Sequence, residues 1–105
     1  MNPCPKETYY RSPRLLKLAN EAPECMACGR PKDGTIVSAH SNAQRHGKGM
    51  GIKAHDIPAY VCSECHDLID GRKGTFNRFE RDRIWLDAMF NSIVWALKEG
   101  HLVAM

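Results

Sequence analysis

The sequence predicts a small α+β protein whose core is completed by a bound metal ion. Two Cys-x2-Cys pairs, Cys25/Cys28 and Cys62/Cys65, have the spacing of a four-thiolate zinc site. Two short segments of strand-like composition lie between the pairs, and a long segment with helical apolar spacing follows them. At 105 residues the chain predicts one domain, 1–105, and a core of this size commonly needs a structural metal.

Local signals predict a short N-terminal helix and two strands. Ser12 is a suitable N-cap and Pro13 suits the first helical position, so a helix is expected to run from there to Asn20. Residues 35–40 are rich in β-branched side chains and predict the first strand. Residues 57–61 predict the second strand, in which a proline restricts pairing at its start.

Two further helices are predicted after the second cysteine pair. A short one should run from Ser63 to about Asp70 and stop at Gly71, and a long one should run from about Asn77 to Glu99. Apolar residues recur along the long helix at three- and four-residue spacing, which predicts that they form its buried face. This predicted stripe consists of Phe79, Leu86, Phe90, Ile93 and Leu97, flanked by Trp85, Met89 and Val94.

Two tryptophans of the long helix, Trp85 and Trp95, point in different directions. A homodimer contact through one of them is therefore an alternative to a core position with a partly exposed ring.

Charge and cysteine usage restrict the compartment and the partners. The formal net charge is +3, a mild basic excess that is compatible with nucleic acid without establishing it. No apolar run approaches transmembrane length and no apolar signal segment is apparent, so we expect no membrane partner and a cytoplasmic location. In a reducing compartment, paired cysteines favour metal over disulfide.

The loop from Ser41 to Asp56 combines glycines with basic residues. Glycine lets a backbone approach phosphate closely, and cationic side chains supply the attraction, so we expect this loop to contact DNA. A loop of this length without regular structure is uncommon unless it is functional or disordered. With a basic turn further along the chain, the predicted nucleic-acid-binding residues are Arg45, Lys48, Lys53, Arg72 and Lys73.

The order of these motifs resembles a known family. The first Cys-x2-Cys pair, then Ala39-His40, then Cys62-x2-Cys65-His66 is similar to the zinc-knuckle form of the HNH endonuclease superfamily, with its ββα-metal (His-Me finger) fold. The segment from Ala39 to Gly71 is closer still to a small family of phage and prophage HNH-like nucleases. The resemblance covers roughly residues 12–75 as the HNH-like zinc module, and residues 76–105 are then a C-terminal packing helix.

This resemblance implies roles for individual residues in DNA hydrolysis. His40 would be the general base that deprotonates the attacking water, because imidazole exchanges protons near neutral pH. His66 and Asp70 would share a catalytic divalent ion such as Mg²⁺, since residues four apart lie on one helix face. Asp56 is a tentative further ligand of that ion. The zinc bound by the four cysteines would be structural.

The sequence also departs from the family pattern. Ala39 stands where many HNH enzymes carry a metal ligand, and Asp56 or Ile57 occupies the approximate place of the middle asparagine. Three accounts follow: Asp70 and Asp56 complete the metal site, His40 itself binds metal, or the fold persists with weak or no catalysis.

Structural alternatives exist for three of the predicted site residues. His40 could be a buried strand-end histidine, His66 could replace a cysteine on zinc, and Asp70 could pair only with Arg72.

The function predicted from the resemblance is a metal-dependent DNA endonuclease of a phage or prophage, acting in the bacterial host cytoplasm. The alternative is a non-catalytic, zinc-stabilised nucleic-acid-binding module that uses the loop and the N-terminal helix.

Overall fold

A two-stranded antiparallel sheet lies at the centre of the computed structural model, which describes residues 10–43 and 55–102. Strand β1 (Val37–Ala39) pairs with strand β2 (Ala59–Val61), with Val37 opposite Val61 and Ala39 opposite Ala59. Both strands are shorter than the sequence predicts. The Thr35 N–H donates to the side chain of Asp33 at 2.9 Å, and Pro58 has no N–H to donate, so neither residue extends the ladder.

The helices begin and end close to the predicted positions. Helix α1 (Pro13–Lys17) continues as a 3₁₀ turn, Leu18–Asn20, and the Ser12 hydroxyl caps it by accepting the Leu15 N–H at 3.1 Å. Helix α2 (Ser63–Ile69) follows β2 directly. The predicted cap residues therefore define the start of the N-terminal helix.

Helix α3 (Arg78–Lys98) is the longest element of the described chain. Asn77 and Glu80 form a reciprocal capping box in which each side chain accepts the other's backbone N–H at 2.9 Å. None of the helices in the described ranges combines the length and apolar composition that crossing a membrane requires. Three α-helices, a two-stranded sheet and four neighbouring cysteines, counted over the described residues, confirm the predicted small α+β fold.

The buried face of α3 differs from the predicted apolar stripe. Phe79 is 84% exposed, Phe90 65% and Leu97 41%, so the prediction that these residues form the core is wrong. The buried residues of the helix are instead Trp85, Ala88, Ser92 and Ala96.

Small side chains explain why α3 buries this face. Ala88, Ser92 and Ala96 let the helix backbone approach β2 closely, and larger side chains there would hold it away. The Ser92 hydroxyl then accepts the Tyr60 N–H at 3.0 Å and donates to the Ala88 carbonyl at 2.7 Å. A buried backbone donor of β2 is thereby satisfied by a side chain of α3.

The two tryptophans of α3 have different environments. The buried Trp85 donates its indole N–H to the Ala39 carbonyl at 2.8 Å, which fixes the end of β1. Trp95 is half-buried and meets Tyr60 edge-on, with ring centroids 5.8 Å apart. Both rings have contacts within the chain, and the homodimer stays a prediction.

We predict that Ser92→Ala destabilises the zinc-loaded protein by about 1–3 kcal/mol, because the Tyr60 N–H loses its acceptor in a buried position. Urea unfolding followed by circular dichroism measures the change. Ser63→Ala, at an exposed position, is the matched control and should change the free energy of unfolding little. Equal effects of the two substitutions would contradict this account of the α3–β2 contact.

Candidate functional site

Four cysteine sulfurs form a cluster that could hold a metal ion. The sulfurs of Cys25, Cys28, Cys62 and Cys65 all lie within 4.8 Å of one another. The Cys28 and Cys62 sulfurs are 3.9 Å apart, close to the separation of about 3.8 Å expected for tetrahedral zinc with bonds of about 2.3 Å. The donor set and its dimensions are therefore consistent with structural zinc.

Backbone geometry presents the first thiolate pair. The Ala27 and Cys28 N–H groups point to the Cys25 sulfur at 3.4 Å each. Gly29 has a positive φ of 78° and donates its N–H to the Cys25 carbonyl at 2.9 Å, which closes the turn. The Met26 N–H donates to the Tyr60 carbonyl at 2.9 Å, so the turn is attached to the central residue of β2.

Helix α2 presents the second pair. Cys62 is its N-cap residue and Cys65 lies in its first turn, and both are buried. Cys65 lies three positions after Cys62, a spacing that places both side chains on the same side of the turn. The start of α2 and the first knuckle therefore face one another across the cluster.

The environment of the thiols differs within the cluster. Burial raises the pKa of the Cys25 thiol. Hydrogen bonds that backbone N–H groups donate to its sulfur have the larger combined effect and lower the pKa to about 7. Burial and the neighbouring thiols raise the pKa of Cys65 well above its usual range. Four thiolates this close repel one another, so a bound cation is what would allow all four to lose their protons.

His40 forms a short contact with a buried carboxylate. It follows β1 directly, and its Nε2 lies 2.8 Å from Oδ1 of Asp56, which is 5% exposed. The Ser12 N–H donates to the other oxygen at 2.9 Å, and an Arg11 guanidinium nitrogen lies 3.6 Å from Oδ1. Burial raises the pKa of Asp56, but the His40 and Ser12 hydrogen bonds outweigh it and hold the pKa below its usual range.

The chain before α1 secures this aspartate. The Asp56 N–H donates to the Tyr10 carbonyl, and the Tyr10 N–H donates to Nδ1 of His55, both at 2.9 Å. Residues 10–12 and 55–56 thus run beside one another. Hydrogen bonds at its N–H and at both carboxylate oxygens fix the position of Asp56 beside His40.

A second histidine–carboxylate pair lies on α2. His66 Nε2 is 3.1 Å from Oδ2 of Asp70, the spacing of residues one helical turn apart. Arg72 contacts the same oxygen at 3.2 Å, and the Asn42 amide donates to Oδ1 at 2.9 Å. Asp70 therefore contacts both the predicted partner His66 and the alternative partner Arg72.

The two histidine–carboxylate pairs stay separate in the part of the chain described. There, the four cysteines are the only group of three or more histidine, cysteine or acidic side chains with ligand atoms close enough to share an ion. His40, His66 and Asp70 are thus not gathered as three ligands of one ion. The cysteine group does not include His66, whose partner is Asp70.

The predicted nucleic-acid-binding residues are only partly described. Arg45, Lys48 and Lys53 lie outside the described residues. Arg72 contacts the Asp67 carboxylate at 3.1 Å as well as Asp70. The Lys73 ammonium lies 3.8 Å from Glu64, so both basic residues of this turn have acidic neighbours.

Sequence reasoning missed several residues that shape the site. Asp56 was expected as a tentative metal ligand, whereas the structure places it against His40. The bonds by which Asn42 holds Asp70 and Ser12 holds Asp56 were not predicted, because each joins distant parts of the chain. For Asn42 the available signal was its position two residues after His40, and for Ser12 it was only its role as an N-cap.

No protein-family model, curated protein or solved structure matches this chain.

We predict that the folded protein contains one equivalent of zinc and loses it on Cys65→Ser substitution, with loss of the folded structure. Elemental analysis and circular dichroism measure both changes. Cys4→Ser, which leaves Cys25, Cys28, Cys62 and Cys65 in place, is the control and should retain the metal.

Acid should release the zinc, because protons compete with the metal for the thiolates and binding weakens as pH falls. A folded protein with less than about half an equivalent of zinc would contradict the assignment.

Proposed function

We propose that this protein is a metal-dependent DNA endonuclease that hydrolyses phosphodiester bonds, with His40 as the general base. The observation that carries the proposal is the 2.8 Å contact of His40 with the buried Asp56 at the end of β1. The proposal also draws on the order of β1, β2 and α2, with His66 on the helix, which is the order that the resemblance to the HNH superfamily implies. The expected setting is a phage or prophage protein in the bacterial cytoplasm, with a homodimer as a further expectation.

The hydrogen bond defines which nitrogen of His40 would act as the base. Asp56, with its pKa below the usual range, is an anion at neutral pH and accepts, so Nε2 of His40 carries the donated proton. Nδ1 is then the nitrogen that can take a proton from water. With 19% of its side chain exposed, His40 is reachable from solvent.

Asp56 would act on the reaction through His40. It fixes the ring orientation, and its negative charge stabilises the imidazolium that forms when His40 accepts a proton. Ser12 and Arg11 keep the carboxylate ionised and in place. In this role Asp56 is a positioning residue rather than the ion ligand that the sequence suggests.

His66 and Asp70 are the residues that would hold a divalent ion. Their ligand atoms are 3.1 Å apart, near the separation of about 3 Å between adjacent ligands of an octahedral Mg²⁺ with bonds of about 2.1 Å. Such an ion would supply Lewis-acid stabilisation of the charge on the reacting phosphate. Asn42 orients Asp70 through the oxygen that His66 does not contact.

Two observations favour the second candidate, a non-catalytic nucleic-acid-binding module. The Asp70 carboxylate already contacts Asn42, His66 and Arg72, and the group before His40 is the methyl side chain of Ala39. A protein of this kind would bind DNA through its basic residues without cleaving the phosphodiester backbone of the DNA. Cleavage distinguishes the two functions directly.

We predict that His40→Ala lowers plasmid nicking by roughly 10²- to 10⁴-fold, because the positioned base is lost. Zinc content and circular dichroism should be unchanged. His66→Ala should instead weaken use of the divalent ion, so that higher Mg²⁺ or Mn²⁺ restores part of the rate. His101→Gln, three residues beyond the C-terminal end of α3, is the control and should nick like the parent protein.

Two outcomes would overturn this proposal. A His40→Ala protein that nicks at the parental rate would exclude His40 as the base. A parent protein that binds DNA and never nicks it, in any divalent ion, would favour the binding module.

A further inference from the structure

A polar pocket lies between the end of α2 and the start of α3, and it shares Asp70 with the site described above. It is lined by Asn42, Ile69, Asp70, Arg78, Arg81 and Asp82. We propose that this pocket binds a backbone phosphate of DNA, next to the His66–Asp70 pair. The inference rests on the proposed function. The reacting phosphate would lie at the ion held by His66 and Asp70, and α3 would contact a second phosphate of the same DNA.

The arginines of the pocket have no carboxylate partner among the described residues. Neither Arg78 nor Arg81 forms an ion pair there, although two carboxylates line the same pocket. Asp70 is already engaged on both oxygens by Asn42, His66 and Arg72. The guanidinium groups of Arg78 and Arg81 are therefore available to an anionic ligand.

Arg81 is held in place without being neutralised. Its Nε is shielded from solvent and has no hydrogen-bond partner in the described part of the chain. Its guanidinium lies against Gly71, where an added Cβ would overlap it, so a glycine at this turn makes room for the arginine. Packing rather than an ion pair orients the guanidinium.

The position of these arginines on α3 is unfavourable for helix stability alone. Arg78 is the first residue of the helix and Arg81 follows one turn later, whereas the positive end of a helix dipole favours acidic residues. An anion bound in the pocket would interact favourably with both arginines and with the helix dipole. Arginine suits phosphate because its planar fork can donate two parallel hydrogen bonds.

The experiment measures binding of a fluorescein-labelled DNA duplex to the zinc-loaded protein by anisotropy at several salt concentrations. All proteins carry His40→Ala, so that cleavage does not intervene. Arg81→Gln should reduce the salt slope by about 0.9, the value for one lost phosphate contact on duplex DNA, and weaken binding. Arg83→Gln makes the same charge change at an exposed position of the same helix and should keep the reference slope.

A second pair of variants covers the case in which Arg81→Gln does not fold. Gly71 and Gly100 both have positive φ, near 77°, so alanine strains the backbone equally at either position. An added Cβ meets Arg81 only at Gly71 and has open space at Gly100. Gly71→Ala should therefore flatten the salt slope, and Gly100→Ala should leave it unchanged.

Two results would overturn the assignment. The first is equal salt slopes for Arg81→Gln and Arg83→Gln. The second is a rise of the melting midpoint with inorganic phosphate at constant ionic strength that Arg81→Gln abolishes, with no change in the DNA slope. That second result would assign the pocket to free phosphate.

The binding assay does not depend on cleavage, so the two proposals fail separately. An Arg81-dependent slope in a parent protein that never nicks DNA would retain the phosphate pocket and overturn the nuclease.

Discussion

The four-cysteine cluster is the constraint on which the rest of the fold depends. It joins the knuckle at Cys25 and Cys28 to the start of α2, across 33 intervening residues. The sheet has only three residue pairs, and isolated two-stranded sheets are marginally stable in water. Helix α3 adds a further attachment, since the Asn91 amide donates to the Met26 carbonyl at 3.1 Å. A metal at the cluster would therefore fix α2 and the sheet relative to the N-terminal third of the chain.

The candidate site follows from what this frame holds in place. Trp85 fixes the carbonyl of Ala39, the last residue of β1, so His40 leaves the strand from a defined position. Asp56 meets it from the start of the segment that leads into β2, and Ser12 holds the aspartate from the N-cap of α1. Three parts of the chain thus converge on one histidine–carboxylate pair. His66 and Asp70 form the second pair on α2, within a single helical turn.

Local signals made much of the fold predictable, and long-range packing limited the rest. Cysteine spacing predicted the cluster, and cap residues such as Ser12 predicted the helix starts, because both depend on a few adjacent residues. The buried face of α3 was not predictable in this way. The small side chains of Ala88 and Ser92 contribute little hydrophobicity, whereas the exposed Phe79 and Phe90 contribute much. The helical spacing of large apolar residues therefore predicted the wrong buried face. The partnership of His40 with Asp56 depends on a contact across sixteen residues that no local pattern encodes.

The central claim is that a structural metal and a catalytic metal occupy different sites in one small domain. Anomalous diffraction from crystals of the zinc-loaded protein soaked in Mn²⁺ tests it most directly, because the two metals are distinguished at their absorption edges. The account predicts a zinc peak among the four cysteine sulfurs and a manganese peak contacting His66 and Asp70. Manganese found only at other residues, or no manganese peak at all, would contradict it.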